Sequence, residues 1–450
     1  MSATFLKSLL GLALASVAGP ALSTPLAAHG AGVVMPAGLR AALAGALAAD
    51  RSAPRPFDAS WSEQEVTASD GIAADAFGYS IAIDGDTALI GAAQGSAAGT
   101  GTSNGCAGAV YVFKLLETGW TEVQKLTADD GVDDDQFGYS VALQGSTAIV
   151  GAVFNDAHQG AAYVFTRTVD TWAQTQKLVA DDGATDDQLG WSVALDGDTA
   201  VLGAPGTADG GDFATGAAYV FTRDGDTFAQ TQKLTTDDGV GADDFGFGVA
   251  VHGTIAIITA ANALGGQGKA YVFSADGGTW SQGPTLLADD GTGTDTFGYA
   301  VAYDGTKAVI GAPFAAVGDN LFQGAAYVFT DAGGTWTQVQ KIFAAEGVAF
   351  DTFGISISMS GHDAVFGAPF SNGGAGEAFL FSDAGGDFVE QHLFTASDAI
   401  PGAGAGYGFS AAVSDGTVAF GAVFNFVGNN EKQGAAYFYA SDAIFANGFD

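Results

Sequence analysis

A single cysteine, Cys106, rules out a disulfide within the 450-residue chain, so packing and hydrogen bonds must hold the fold. Its surroundings, Ser-Asn-Gly-Cys-Ala-Gly, read as an exposed loop. Basic residues are scarce: 14 Lys and Arg against 50 Asp and Glu give a net charge of −36. A surface of that sign repels nucleic acid and anionic membranes, and neither is expected as a partner. Proline is low at ten, and after the first residues no apolar run reaches the roughly 18 residues that a membrane helix needs. The five histidines, His29, His158, His252, His362 and His392, show no metal-ligand spacing. Nucleophile elbow, phosphate-binding loop and HExxH are all missing.

What is abundant is glycine, 68 residues, beside 48% hydrophobic residues. Disorder needs fewer apolar residues and collagen needs glycine at every third position. A packed chain of many short strands and turns remains. The N-terminus reads as an export signal over residues 1–23: Lys7, an apolar run from Leu9 to Ala18, and small residues at Ala21-Leu22-Ser23. A secreted or surface-associated protein is therefore expected. Residues 24–60 are alanine-rich and read as a linker, with a narrow Leu39, Leu43, Leu47 stripe.

From residue 61 to 440 one pattern of about 55 residues recurs. An aromatic-glycine step places its glycine at 78, 138, 190, 246, 298, 354 and 408, with Leu189 and Tyr407 varying the aromatic. In the second copy Phe137–Gln144, Thr147–Val153, Ala161–Phe165 and Trp172–Leu178 read as four strands. Turns such as Asp84-Gly85, Asp196-Gly197 and Asp304-Gly305 are strong hairpin signals. Seven such units predict an all-β, seven-bladed propeller with four antiparallel strands per blade. Ala82, Ala142, Ala194, Ala250 and Ala302 suit a crowded strand near the axis. Tyr163 and Phe165, two apart, share a face further out. Lys125, Lys177, Lys233 and Lys341 are expected to blunt an exposed fourth-strand edge. Trp61–Val66 reads as a fourth strand without predecessors, and the last copy, ending in Ala435–Tyr439, lacks one. Strand 61–66 is therefore predicted to close the ring in the last blade.

Phe-Gly followed about 13 residues later by Gly203-Ala-Pro205, Gly311-Ala-Pro313 or Gly367-Ala-Pro369 resembles the FG-GAP repeat. That resemblance implies the propeller found at the head of integrin α chains and on bacterial surface proteins. The calcium-binding loop between the first two strands of integrin repeats is reduced here to turns such as Asp196-Gly-Asp198. Such a turn is too short to wrap a cation with six to eight oxygens. The fourth copy replaces Gly-Ala-Pro with Thr259-Ala-Ala261, and the seventh has no acid before its aromatic. The tail, Ser441–Asp450, resembles short endings on some exported bacterial proteins.

Two sets of residues are candidates for function. Acidic residues concentrate in the links between blades, and an acid two residues before the aromatic recurs at Asp75, Asp135, Asp187, Asp243, Asp295 and Asp351. One reading makes each a turn cap. The other makes the links weak Ca²⁺ sites, with Asp129, Asp130, Asp133, Asp135, Asp181, Asp182, Asp187, Asp237, Asp238 and Asp243 as candidate ligands. The loops between second and third strands break the symmetry of the repeat. They carry Phe154, Phe213, Phe314, Phe322, Phe424 and Phe426 as ligand-face candidates, with Phe370 beside such a loop. Exposed aromatics among polar groups suit protein or carbohydrate contact. The leading expectation is a monomeric binding or adhesion module with no catalytic residues. Alternatives are a propeller hydrolase or lyase, or a structural envelope protein. Unlike polar residues at the central opening, present once rather than seven times, would favour the enzyme.

Overall fold

Gly85, at φ +58, turns Phe77–Asp84 (β2) back onto Thr87–Ala92 (β3), and Ala109–Leu116 (β4) and Gly119–Leu126 (β5) complete the sheet. The computed structural model describes residues 61–94, 107–208, 214–383, 385–400 and 404–441. The export segment, the linker, Cys106, Phe213 and residues 442–450 lie outside them. Six four-stranded antiparallel sheets follow one another as blades 1 to 6. The seventh combines Tyr407–Ser414 (β26), Thr417–Ala422 (β27) and Ala435–Ser441 (β28) with Trp61–Val66 (β1). β1 pairs antiparallel with β28 from Trp61 opposite Ser441 to Val66 opposite Ala436, so the ring closes through its N-terminal strand as the sequence predicts.

The two glycines of each repeat meet across the blade junctions. A Cβ at Gly91 would lie 2.2 Å from the carbonyl oxygen of Gly138 in the next blade. The first-strand serine donates to that same carbonyl: Ser80 to Gly138 at 2.8 Å, Ser140 to Gly190 at 2.7 Å, and Ser410 to Gly78 at 2.7 Å across the closing junction. Blade 4 keeps this bond by exchange. Gly248 stands where the serine should be, and Thr259, in place of the Gly-Ala-Pro glycine, donates to Gly298 at 2.6 Å.

The aromatic of each step is sealed between blades: Phe77, Phe137, Leu189, Phe297 and Phe353 are wholly buried. Phe77 packs edge-on against Tyr111 and Phe113, the pair two apart on the third strand. Burying such a ring contributes roughly 2–3 kcal/mol. Further out, Gln64, Gln124, Gln176, Gln232 and Gln340 each bond both the N–H and the C=O of an aromatic on the next blade, at 2.6–2.9 Å. These clasps satisfy backbone groups that an outer strand would otherwise expose.

Candidate functional site

The candidate calcium residues are mostly committed to other partners. In the links leading into blades 1 to 5 the second acid pairs with a lysine of the blade that follows. Asp130 accepts from Tyr163 at 2.8 Å and pairs with Lys177 at 2.6 Å, and Lys177 also lies over the Tyr163 ring. Asp182 pairs with Lys233 at 2.6 Å. Burial would raise the Asp130 and Asp182 carboxyls, but the hydrogen bonds from Lys177 and Tyr163 to Asp130, and from Lys233 to Asp182, outweigh it and hold both below the usual range. The lysines are structural, through these pairs rather than through bare repulsion at an edge. In blade 4 the lysine has moved: Thr285 takes the fourth-strand place opposite Tyr271, and Lys269 on the third strand pairs with Asp238 at 2.7 Å.

The acid two residues before the aromatic caps its own turn. Asp135 accepts from the Val132 N–H at 2.9 Å, Asp187 from Ala184 at 2.8 Å, and Asp243 from Val240 at 3.0 Å. Asp135 also accepts from the Asn155 amide at 2.9 Å. Burial raises the Asp187 carboxyl. Asp129, Asp133, Asp181 and Asp237 stand exposed, and no three acidic, histidine or cysteine side chains gather to hold a metal among the described residues.

The residues that converge lie on the propeller axis. The residue after each step glycine faces the central opening, giving Tyr79, Tyr139, Trp191, Phe247, Tyr299, Ile355 and Phe409. Neighbouring rings touch around the axis, Tyr79–Tyr139 at 5.0 Å, Tyr139–Trp191 at 4.9 Å, Trp191–Phe247 at 5.4 Å and Phe247–Tyr299 at 5.0 Å. Phe409 joins from the other side, 5.2 Å from Tyr79. Only Ile355 interrupts the girdle, and Phe314 packs on it.

Above the girdle two positions per blade form the rim. One precedes the aromatic, namely Ala76, Gln136, Gln188, Asp244, Thr296, Thr352 and Gly406, and all seven have positive φ. The left-handed turn lets each N–H reach the preceding blade, as Gln188 does to His158 O at 2.9 Å and Asp244 to Ala214 O at 3.1 Å. It costs on the order of 1 kcal/mol at each non-glycine residue. The other position follows the Gly-Ala-Pro site: Gln94, Phe154, Gly206, Asn262, Phe314, Phe370 and Phe424. Four blades put phenylalanine there. Blades 3 and 4 put Gly206 and Asn262, and at that gap a cavity of about 650 Å³ opens to the girdle.

Asp186, Gln188, Asp244, Asn262 and Thr296 wall this cup. The Asn262 amide donates to the Asp244 carboxyl. Burial, helped by the neighbouring Asp243 charge and opposed by that amide, raises the Asp244 pKa to about 7. Asp186 lies 3.0 Å from His158 Nδ1.

Of the six candidate phenylalanines, Phe314 lines the cup. Phe322 packs on Phe314 and Phe350, Phe424 on Phe409, and Phe154 on His158. Phe426 is 51% exposed, and Phe213 falls outside the described residues. The cup residues Trp191, Gln188, Asp244 and Asn262 were not singled out from sequence. The signal for them is register: with the seven copies superimposed on the aromatic-glycine step, Asp244 and Asn262 are departures from the threonine, glutamine and phenylalanine of other copies.

Among the described residues no helix is long and apolar enough to cross a membrane. No match to a curated protein was found. The family model of the FG-GAP repeat matches residues 61–113, 120–165, 172–221, 228–273, 280–329 and 336–381, each segment running from a fourth strand into the third strand of the next blade. These matches cover more than half of the chain, and with the closed seven-bladed ring they establish that it belongs to the FG-GAP repeat family.

Proposed function

We propose that this protein is a secreted or surface-associated binding module that engages a protein or glycan through its loop-bearing face. The observation that carries this reading is the axial cup. A concave, aromatic-floored space with a few polar groups is the form that ligand sites take, and it opens where the repeat departs from its own pattern. Around it stand exposed apolar side chains, Val132, Val240, Leu264, Leu321 and Phe426, among the carboxylates of the links. The residues preceding the propeller support export. Probing glycan and surface-protein arrays with the mature chain, with and without calcium, tests the proposal. Reproducible binding to a defined class supports it, and a blank on both arrays counts against it.

A hydrolase or lyase draws on the same cup, because Asp244 and Asn262 are unlike polar groups, each occurring once at its place in the repeat. A carboxyl titrating near 7 has the range a general acid or base needs. Turnover of labelled oligosaccharides by the wild type and not by Asp244→Asn would favour that reading.

A further inference from the structure

We propose that the axial cup takes a single neutral sugar ring, its apolar face on Trp191 and adjacent hydroxyls on Asp244 and Asn262. The inference rests on the binding-module reading and gives it a ligand class.

The chemistry of the lining selects that class. A pyranose has one face of C–H groups, and the electron-rich face of an indole attracts such weakly positive hydrogens. Trp191 is the tryptophan of the girdle; Trp61, Trp120, Trp172, Trp280 and Trp336 all lie on outer fourth strands or at their starts. Vicinal hydroxyls each donate and accept. A side-chain amide offers an acceptor oxygen and two donor hydrogens in one plane, and both Gln188 and Asn262 line the cup. The Gln188 amide makes no hydrogen bond to protein among the described residues. At about 650 Å³ the space falls inside the roughly 300–1,000 Å³ typical of small-molecule sites.

Charge separates a sugar from a cation. An aromatic floor would also suit an ammonium or guanidinium group. Here, however, Asp186 is taken up by His158 at 3.0 Å, and burial raises the Asp244 carboxyl to about 7. Apart from Asp186, which is bonded to His158, the polar wall consists of two amides, a hydroxyl and a carboxyl raised to about 7.

The repeat supplies a variant that should fold. Asp244→Thr combined with Asn262→Phe gives blade 4 the pairs that blades 5 and 6 already carry, Thr296 with Phe314 and Thr352 with Phe370. It fills the gap without leaving the family of arrangements the ring accepts. The experiment titrates the mature chain, by calorimetry and tryptophan fluorescence, with methyl glycosides of neutral hexoses and deoxyhexoses, and with lysine, arginine and choline. The expected result is weak binding of at least one neutral glycoside. It should fall at least about tenfold, roughly 1.4 kcal/mol, in Trp191→Ala and in the double variant while circular dichroism stays unchanged. Binding only of the cations, or of a glycoside equally by the double variant, overturns the inference. So does an array ligand held equally by wild type and double variant with no glycoside bound, and that outcome leaves the binding-module reading standing. A blank on the arrays and in the titration overturns both.

Discussion

Replacing Asp244 by asparagine should stabilise the protein, and by an amount that grows with pH. The folded chain raises this carboxyl from 3.8 to about 7, chiefly by burial. The folded state then holds the proton more tightly than the unfolded one. Its contribution to stability is fully present below the unfolded value of 3.8 and is lost as pH rises through about 7. Asparagine is close to isosteric and does not ionise, so the variant escapes that loss. At about 1.4 kcal/mol per pH unit, the separation between the two pKa values limits the whole effect to roughly 4 kcal/mol. Between pH 5 and pH 8 the advantage of the variant should widen by about 2–3 kcal/mol, a few degrees in Tm for a chain of this size. Scanning calorimetry of both proteins at the two pH values measures it. An advantage equal at pH 5 and pH 8 would refute the placement of Asp244 in a poorly hydrated wall.

Three further outcomes are expected. At the closing blade Glu65 lies opposite Tyr437, where blades 1, 2, 3 and 5 place lysine, and burial, then Asp398 and Glu63, raise its carboxyl. Glu65→Lys should therefore raise Tm by the equivalent of about 1 kcal/mol at pH 7. The gain should shrink toward pH 4, where the wild-type glutamate is protonated, and thermal melts across that range check it. Thr259→Gly should cost about 1–2 kcal/mol by leaving the Gly298 carbonyl without its donor, and adding Gly248→Ser should restore most of it, as a double-mutant cycle in urea would show. Chelation with EDTA is expected to leave Tm unchanged, whereas a fall reversed by calcium would show that the links hold the ion despite their lysine, tyrosine and backbone partners.

The fold was legible because its determinants repeat. Asp-Gly turns, the glycine pair that meets across six of the seven junctions, and the aromatics two apart on the third strand each recur at fixed spacing, and one violation of the rule identified β1 as the closing strand. The turn-capping role of Asp135 and its equivalents was legible for the same reason. The lysine contacts were less so, because a fourth-strand lysine reads as an edge device until the fold brings Asp130 and Tyr163 to it. The cup was hidden by its own nature. It is assembled from Gln188, Trp191, Asp244 and Asn262, which come from links, loops and first strands of two blades and share no local motif. Loop aromatics such as Phe154 and Phe424 gave the stronger signal in sequence, yet they pack at the rim against His158 and Phe409.

The most direct test of the cup as the binding site uses the chain labelled with 5-fluorotryptophan, the Trp191 resonance being assigned by its loss in Trp191→Phe. Fluorine NMR spectra are recorded as an array-identified ligand is added. The account predicts that the Trp191 resonance moves while those of Trp61, Trp120, Trp172, Trp280 and Trp336 stay in place, and that the Asp244→Thr/Asn262→Phe variant shows no movement. A ligand that shifts the outer tryptophans and leaves Trp191 untouched would contradict it.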